Sequence, residues 1–129
     1  MQIIKEVMTQ FPYSIESDAH PRAARTMMER LNIHHMPVKT EKGYTGLITD
    51  REIRLAADLG AMDSDQVLVG DICQNDATVV SPDTSLDEVL MHFSKSHEDA
   101  VLVVEADKLV GIFTTTDACR CYAEVLRRE

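Results

Sequence analysis

The chain says nearly the same thing twice. Sliding it by 65 positions aligns the halves without a gap. Val7 then falls on Ile72, Ile15 on Val80, Asp18 on Asp83, Ala24 on Val89 and Met28 on Phe93. Further along, Val38 meets Val103, Gly46 meets Gly111, Thr49 meets Thr114 and Glu52 meets Asp117. A fixed internal period marks two copies of one supersecondary unit, each too small to bury its apolar face alone. Two such units packed about a pseudo-two-fold axis create two related clefts. Residues that recur without being core-like are expected to line them.

Each copy reads as strand, helix, strand, strand, helix, so the expected fold class is α+β: two βαββα repeats, at 1–60 and 67–129, joined by a polar linker at 61–66. In the second copy, Thr78-Val79-Val80 is a β-branched run followed by the turn Ser81-Pro82-Asp83. Ser85-Leu86-Asp87-Glu88 matches a capping box, and Leu86, Val89, Leu90 and Phe93 follow at helical spacing. The first copy shows Ala24, Met27, Met28 and Leu31 in the same pattern, with Pro21 tolerated in the first turn. Hairpins turn at Glu41-Lys42-Gly43 and at Ala106-Asp107-Lys108, the second without the Gly such turns favour. Closing helices are expected from near Thr49 and Thr114. Their apolar faces are Ile53, Ala56, Ala57 and Leu59 in one, and Ala118, Tyr122, Val125 and Leu126 in the other.

Composition excludes several functions. A net charge of −9 over 129 residues, without a basic face, argues against general affinity for nucleic acid or anionic membrane. No apolar run reaches the ~20 residues of a membrane span, and the first residues lack signal-peptide character. The three cysteines form no even framework; Cys73 sits where the first repeat has Met8 and reads as a small core hydrophobe. These features point to a soluble, reducing, cytoplasmic setting. Cys119 and Cys121 place their thiols about 200° apart on a helix, too divergent for a metal clip, and read as partly buried hydrophobes. Met27, Met28, Met36 and Met62 read as core filler. No nucleophile stands beside a base, so no enzymatic activity and no metal or catalytic cofactor are expected.

The sharpest local signal is Thr-x-x-Asp/Glu after a Gly-led strand: Thr49…Glu52 and Thr114…Asp117. One reading is a helix cap. The other uses the same geometry, because a helix N-terminus suits an anion and a carboxylate there can accept both hydroxyls of a ribose. The readings coexist.

This order, with Gly46-Leu47-Ile48-Thr49-Asp50-Arg51-Glu52 and Gly111-Ile112-Phe113-Thr114-Thr115-Thr116-Asp117, resembles the CBS domain family. Val79-Val80-Ser81-Pro82-Asp83 and His35-Met36-Pro37-Val38 carry the likeness into the first and second strands. It covers essentially the whole chain as a tandem pair, a Bateman module, and Thr49 to Arg54 also resembles the acetoin-utilisation-type CBS proteins. The resemblance implies that each cleft takes its Thr and acid from one repeat and its adenine-facing segments from the other. Carried over, the main cleft comprises Met8, Tyr13, Ile33, His34, His35, Ile112, Thr114 and Asp117. The second comprises Leu47, Thr49, Arg51, Glu52, Cys73, Thr78, Glu98, Asp99 and Ala100.

The two are electrostatically unequal. His34 and His35 can donate to a phosphate in the first, whereas Glu98 and Asp99 repel one in the second, where Arg51 offsets part of that charge. Asp117 is therefore expected to mark the competent site and Glu52 a degenerate one. The family resemblance implies a stand-alone regulatory module binding an adenine nucleoside derivative between its repeats: AMP, ADP, ATP or S-adenosylmethionine. It also implies a homodimer built on the helices at 22–32 and 50–59 and their repeat mates. The alternative is a ligand-free dimerisation or scaffold protein docking on a partner enzyme. His34-His35 as metal ligands fits poorly, since neighbours on a strand face opposite ways.

Overall fold

Neither repeat keeps its own leading segment. The computed structural model describes residues 2–129, which form two units: the segment up to Pro12 joins Thr78–Glu129, and Tyr13–Ala77 forms the other. In chain order the elements are β1 (Thr9–Gln10), β2 (Ile15–Glu16), α1 (Pro21–Leu31), β3 (His35–Thr40), β4 (Gly43–Thr49), α2 (Asp50–Asp58) and α3 (Val69–Ile72). There follow β5 (Val79–Val80), α4 (Leu86–Ser96), β6 (Ala100–Glu105), β7 (Lys108–Thr114) and α5 (Thr115–Arg127), with single 3₁₀ turns at Ile4–Glu6 and Ala61–Asp63.

The unit of Tyr13–Ala77 is a three-stranded sheet in the order β2-β3-β4, with β2 parallel to β3 and β4 antiparallel to it. Its core gathers Ile15, Ala24, Met28, Met36, Val38, Ile48, Ile53 and Ala56 from the repeat body. The other unit has the order β1-β7-β6-β5. There Leu86, Val89, Val101, Val103 and Phe113 close the core, and the rings of Phe93 and Phe113 stack. Ladders repeat the 65-residue period: Ile15 pairs Val38 as Val80 pairs Val103, and the irregularities at Val38/Lys39 and Val103/Val104 coincide.

The leaders anchor in matching ways. Ile4 N–H donates to Thr84 O at 2.8 Å and Lys5 N–H to Pro82 O at 3.1 Å. Val69 N–H donates to Ala19 O and Gly70 N–H to Ser17 O, both at 2.8 Å. Each pair of acceptors lies 65 positions from the other. Ile4 and Val69 are both completely buried, and removing a side chain of that size from water is worth about 1.5–3 kcal/mol. Each leader then runs along a Gly-led strand: Thr9 and Gln10 pair Ile112 and Gly111, while Gln74 bridges Leu47.

Helix ends follow local chemistry, with one exception. Pro21 opens α1 and His20 caps it, its ring accepting from Arg22 N–H at 3.0 Å. Asn32 and His97 end α1 and α4 in the left-handed region, where glycine is the usual choice. The second hairpin turns without Gly because Ala106 and Asp107 both take positive φ, the type I′ signature. Ser85, however, makes no side-chain cap. The backbone of the leader has taken its place: Leu86 N–H donates to Gln2 O at 2.9 Å, and Ile3 bridges Ser85.

Met62, within the stretch 61–66, is buried in the core as expected, and Arg22 Nη1 donates to its carbonyl at 2.5 Å. Two further expectations are corrected. Cys119 is exposed and only Cys121 is half-buried, whereas Cys73 is buried as expected. Leu59, Tyr122, Val125 and Leu126 were placed on buried faces by their spacing, and Leu90 likewise, yet all five are exposed. Helical periodicity identifies an apolar face without saying what covers it.

Two outcomes follow from this packing. Ile4→Ala is expected to cost about 2–5 kcal/mol in urea unfolding and to lower hydrogen-exchange protection in β6 and β7 before β3 and β4. Loss of protection first in β3 and β4 would show that the leader does not belong to the second repeat. The two repeat-related glycines should differ in tolerance to alanine. A Cβ at Gly46 would lie 2.9 Å from Val38 Cβ, which the backbone holds in place, whereas at Gly111 the nearest atoms all belong to the flexible Met8 side chain. Gly46→Ala should cost about 1–3 kcal/mol, the usual penalty of overpacking, and Gly111→Ala measurably less; equal midpoints in thermal melts would refute this.

Candidate functional site

In the unit containing the second repeat, β7 delivers Thr114 to the first turn of α5. Thr114 takes extended backbone angles and caps the helix; its Oγ1 accepts from Asp117 N–H at 3.2 Å. Asp117 folds back so that Oδ2 accepts from Thr114 N–H at 2.9 Å and from Thr114 Oγ1–H at 3.1 Å. The residue is only 7% exposed, and its carboxylate is hydrogen-bonded, as a buried charge must be. Its other oxygen, Oδ1, accepts from Arg120 Nη1 at 3.0 Å. Sequence reading passed over Arg120, although three residues after an acid on a helix is an ordinary ion-pair spacing. Met8 reaches the same strand, because a Cβ on Gly111 would strike its side chain. Ile112 is buried one residue on. The structure thus brings Met8, Ile112, Thr114 and Asp117 together.

The same unit holds Thr78, Glu98, Asp99 and Ala100. Glu98 accepts from Thr78 Oγ1–H at 2.8 Å, and its Oε2 lies 2.5 Å from His92 Nε2. Burial alone would raise the Glu98 carboxyl, but the bonds from Thr78 and His92 outweigh it and hold the group below the usual glutamate range. Asp99 is exposed, and its carbonyl accepts from Thr115 N–H at 2.9 Å. Ala100 is buried opposite Thr114.

The unit of the first repeat builds the matching corner from β4 and α2. Thr49 caps α2, accepting from Arg51 N–H at 3.2 Å, and Glu52 Oε1 accepts from Thr49 N–H and Oγ1–H, both at 2.8 Å. The remaining oxygen differs from its counterpart. Glu52 Oε2 accepts from Gln74 Nε2 at 3.3 Å, and Arg51 Nε stands 3.7 Å away. Gln74 is held by backbone bonds to Leu47 in both directions, at 2.9 and 2.8 Å. Cys73 packs against Gly46, and burial pushes its thiol up, away from the reactive thiolate. Leu47, Thr49, Arg51, Glu52 and Cys73 are therefore neighbours.

Also in this unit, Tyr13 is exposed, and Ile33 packs partly on the core with its N–H on Met28 O at 3.1 Å. His34 Nδ1 lies 2.5 Å from Asp50 Oδ2, and His34 O accepts from Asp50 N–H at 3.3 Å. The His34 ring thus leans on the first residue of α2, a contact the sequence did not suggest. His35 opens β3 opposite Thr49. A groove of about 510 Å³ runs between α1 and α2, floored by Met28, Ile33, Ile53 and Ala57. Among the described residues no cluster of His, Cys, Asp or Glu suits a metal ion, and no helix is long and apolar enough to cross a membrane.

Comparison with known proteins meets this geometry from outside. A CBS domain-containing protein of Bacillus subtilis strain 168, YhcV, is 23% identical over 117 residues, 91% of this chain and 83% of that protein. A crystal structure from Vibrio cholerae described as an acetoin utilization protein, AcuB, superposes with a TM-score of 0.83 at 26% identity, over 98% of this chain and 94% of that one. The CBS domain pair of protein MJ0100, solved with 5′-methylthioadenosine and S-adenosyl-L-methionine, gives 0.84 at 24% identity, over 96% and 98%. CBSX2, solved with AMP, gives 0.81 at 20% identity, over 97% and 98%. The CBS domain family model matches residues 4–58 and again 69–124. With two in-register copies of strand, helix, hairpin and Thr-capped helix, each matched along its length, the chain belongs to the CBS domain family as a tandem pair.

Proposed function

We propose that this chain is a regulatory module that binds an adenine nucleoside derivative, with Asp117 as the ribose anchor, and performs no catalysis of its own. The observation that carries the reading is the difference between the two capping carboxylates. Both spend one oxygen on the threonine that precedes them. At Glu52 the other oxygen accepts from the amide of Gln74 at 3.3 Å, itself fixed by two backbone bonds. At Asp117 it meets only the half-exposed guanidinium of Arg120. A carboxylate offers about four lone-pair positions, so Asp117 Oδ1 keeps acceptor capacity for a hydroxyl, at the positive end of a 13-residue helix.

The structural relatives support the ligand class: MJ0100 was solved with two adenosine thio-derivatives and CBSX2 with AMP. On the family resemblance, Tyr13, Ile33, His34 and His35 complete the site with Met8, Ile112 and Thr114, the ligand lying between the repeats. Binding would then bias how the repeats pack, which amounts to regulation only if the packed states differ in affinity for it. The resemblance also supports a homodimer on the helices, and the exposed Leu55, Leu59, Met91, Tyr122 and Leu126 give that assembly apolar surface to bury. The same surface, with the closed Glu52 corner, favours the second reading, a ligand-free scaffold.

A thermal-shift panel of AMP, ADP, ATP and S-adenosylmethionine separates the two. A ligand at 100 times its dissociation constant adds about 2.7 kcal/mol. Wild type and Glu52→Ala should both show the shift, and Asp117→Ala should lose it, whatever its baseline melting temperature. Retention in Asp117→Ala with loss in Glu52→Ala would reverse the assignment; no shift with any ligand would favour the scaffold.

A further inference from the structure

Within that reading, the surroundings of Asp117 narrow the ligand class. Oδ2 is committed to Thr114 by the two bonds that define the first turn of α5. A ribose hydroxyl must therefore approach Oδ1, and Oδ1 already carries the guanidinium of Arg120 at 3.0 Å. The two partners are very unequal in exposure: the aspartate side chain is 10% accessible and the arginine 53%. Arginine has five N–H donors in a planar fork. One is spent on Asp117, and the others meet no protein acceptor among the described residues. Glu124, one turn further along α5, makes no ion pair with it. In the first repeat the position 65 residues earlier is the exposed Leu55, and the guanidinium near the acid there is that of Arg51, 3.7 Å from Glu52 Oε2 and without a hydrogen bond to it.

We infer that Arg120 is the residue that selects phosphate-bearing adenosines over S-adenosylmethionine. Its remaining donors match phosphate oxygens in a forked geometry, and its charge favours a phosphate of about two negative charges over S-adenosylmethionine, whose single carboxylate is outweighed by its sulfonium and ammonium. Asp117 then holds the sugar and keeps the guanidinium in place to receive the anion. One residue reads the nucleoside and its neighbour on the same turn reads the charge that the nucleoside carries.

The test is calorimetric titration of the full chain with AMP, adenosine and S-adenosylmethionine, using wild type, Arg120→Ala and Arg120→Lys. Wild type should bind AMP about 10- to 100-fold more tightly than adenosine, the range of a charge-assisted contact. Arg120→Ala should reduce that ratio to near one, whatever it does to adenosine affinity itself, and Arg120→Lys should restore part of it. Added KCl should weaken AMP binding to wild type and leave adenosine alone. An AMP-to-adenosine ratio that survives in Arg120→Ala overturns the inference, as does tighter binding of S-adenosylmethionine than of AMP to wild type. Either result leaves adenosine binding at Asp117 standing. Failure of all three ligands to bind overturns that reading and this one together.

Discussion

The burial of Ile4 and Val69, each with its backbone N–H tied to a carbonyl of the other repeat, is the interaction on which the remaining architecture depends. A βαββα unit of this size leaves an apolar hole beside its first strand. The chain fills each hole with the residue that leads into the other repeat. Because the anchors match across the 65-residue period, both units reach the same solution with different residues: isoleucine on a 3₁₀ turn in one, valine on a short helix in the other. The leader's path then follows. It lies along the Gly-led strand, and Gly46 and Gly111 give it room.

That path has a functional consequence. Met8 and Cys73 reach the strands that end at Thr114 and Thr49 only because the leaders cross between repeats. The capping threonine and its acid are local devices, formed by residues three apart on a helix's first turn. What surrounds them is not local. Gln74 closes Glu52 from 22 positions away, held there by its backbone pairing to Leu47. At Asp117 the residue that plays Gln74's part in the repeat is Thr9, which pairs Ile112 but makes no side-chain bond to the acid. One difference between the leaders thus gives the first repeat's acid an amide partner that the second's lacks.

The asymmetry expected from the sequence rested on His34-His35 against Glu98-Asp99. The structure supplies a different physical basis. Glu98 is already engaged by Thr78 and His92, and His34 leans on Asp50, so the charges thought to distinguish the sites are partly spent inside their own units. What differs is the partner of each acid's outer oxygen, the amide of Gln74 at Glu52 and the guanidinium of Arg120 at Asp117.

Much of the fold was legible because it is encoded locally and then repeated. A β-branched run and the hairpin turns give strands, helical spacing gives α1 and α4, and Thr-x-x-acid gives both capped helices. Duplication turned each weak signal into a pair in register. Tertiary structure decided the rest. Ser85 has the right residues for a capping box, yet it loses the role to the carbonyl of Gln2, a donor's choice between partners that only proximity settles. Tyr122, Val125 and Leu126 share a face by periodicity but remain exposed. Sequence by itself determined the two copies, their elements and the two capping acids, since those depend on residues within one turn or one hairpin. Only the folded chain decided which leader meets which strand, and so that Gln74 meets Glu52, since that depends on contacts between residues far apart in sequence.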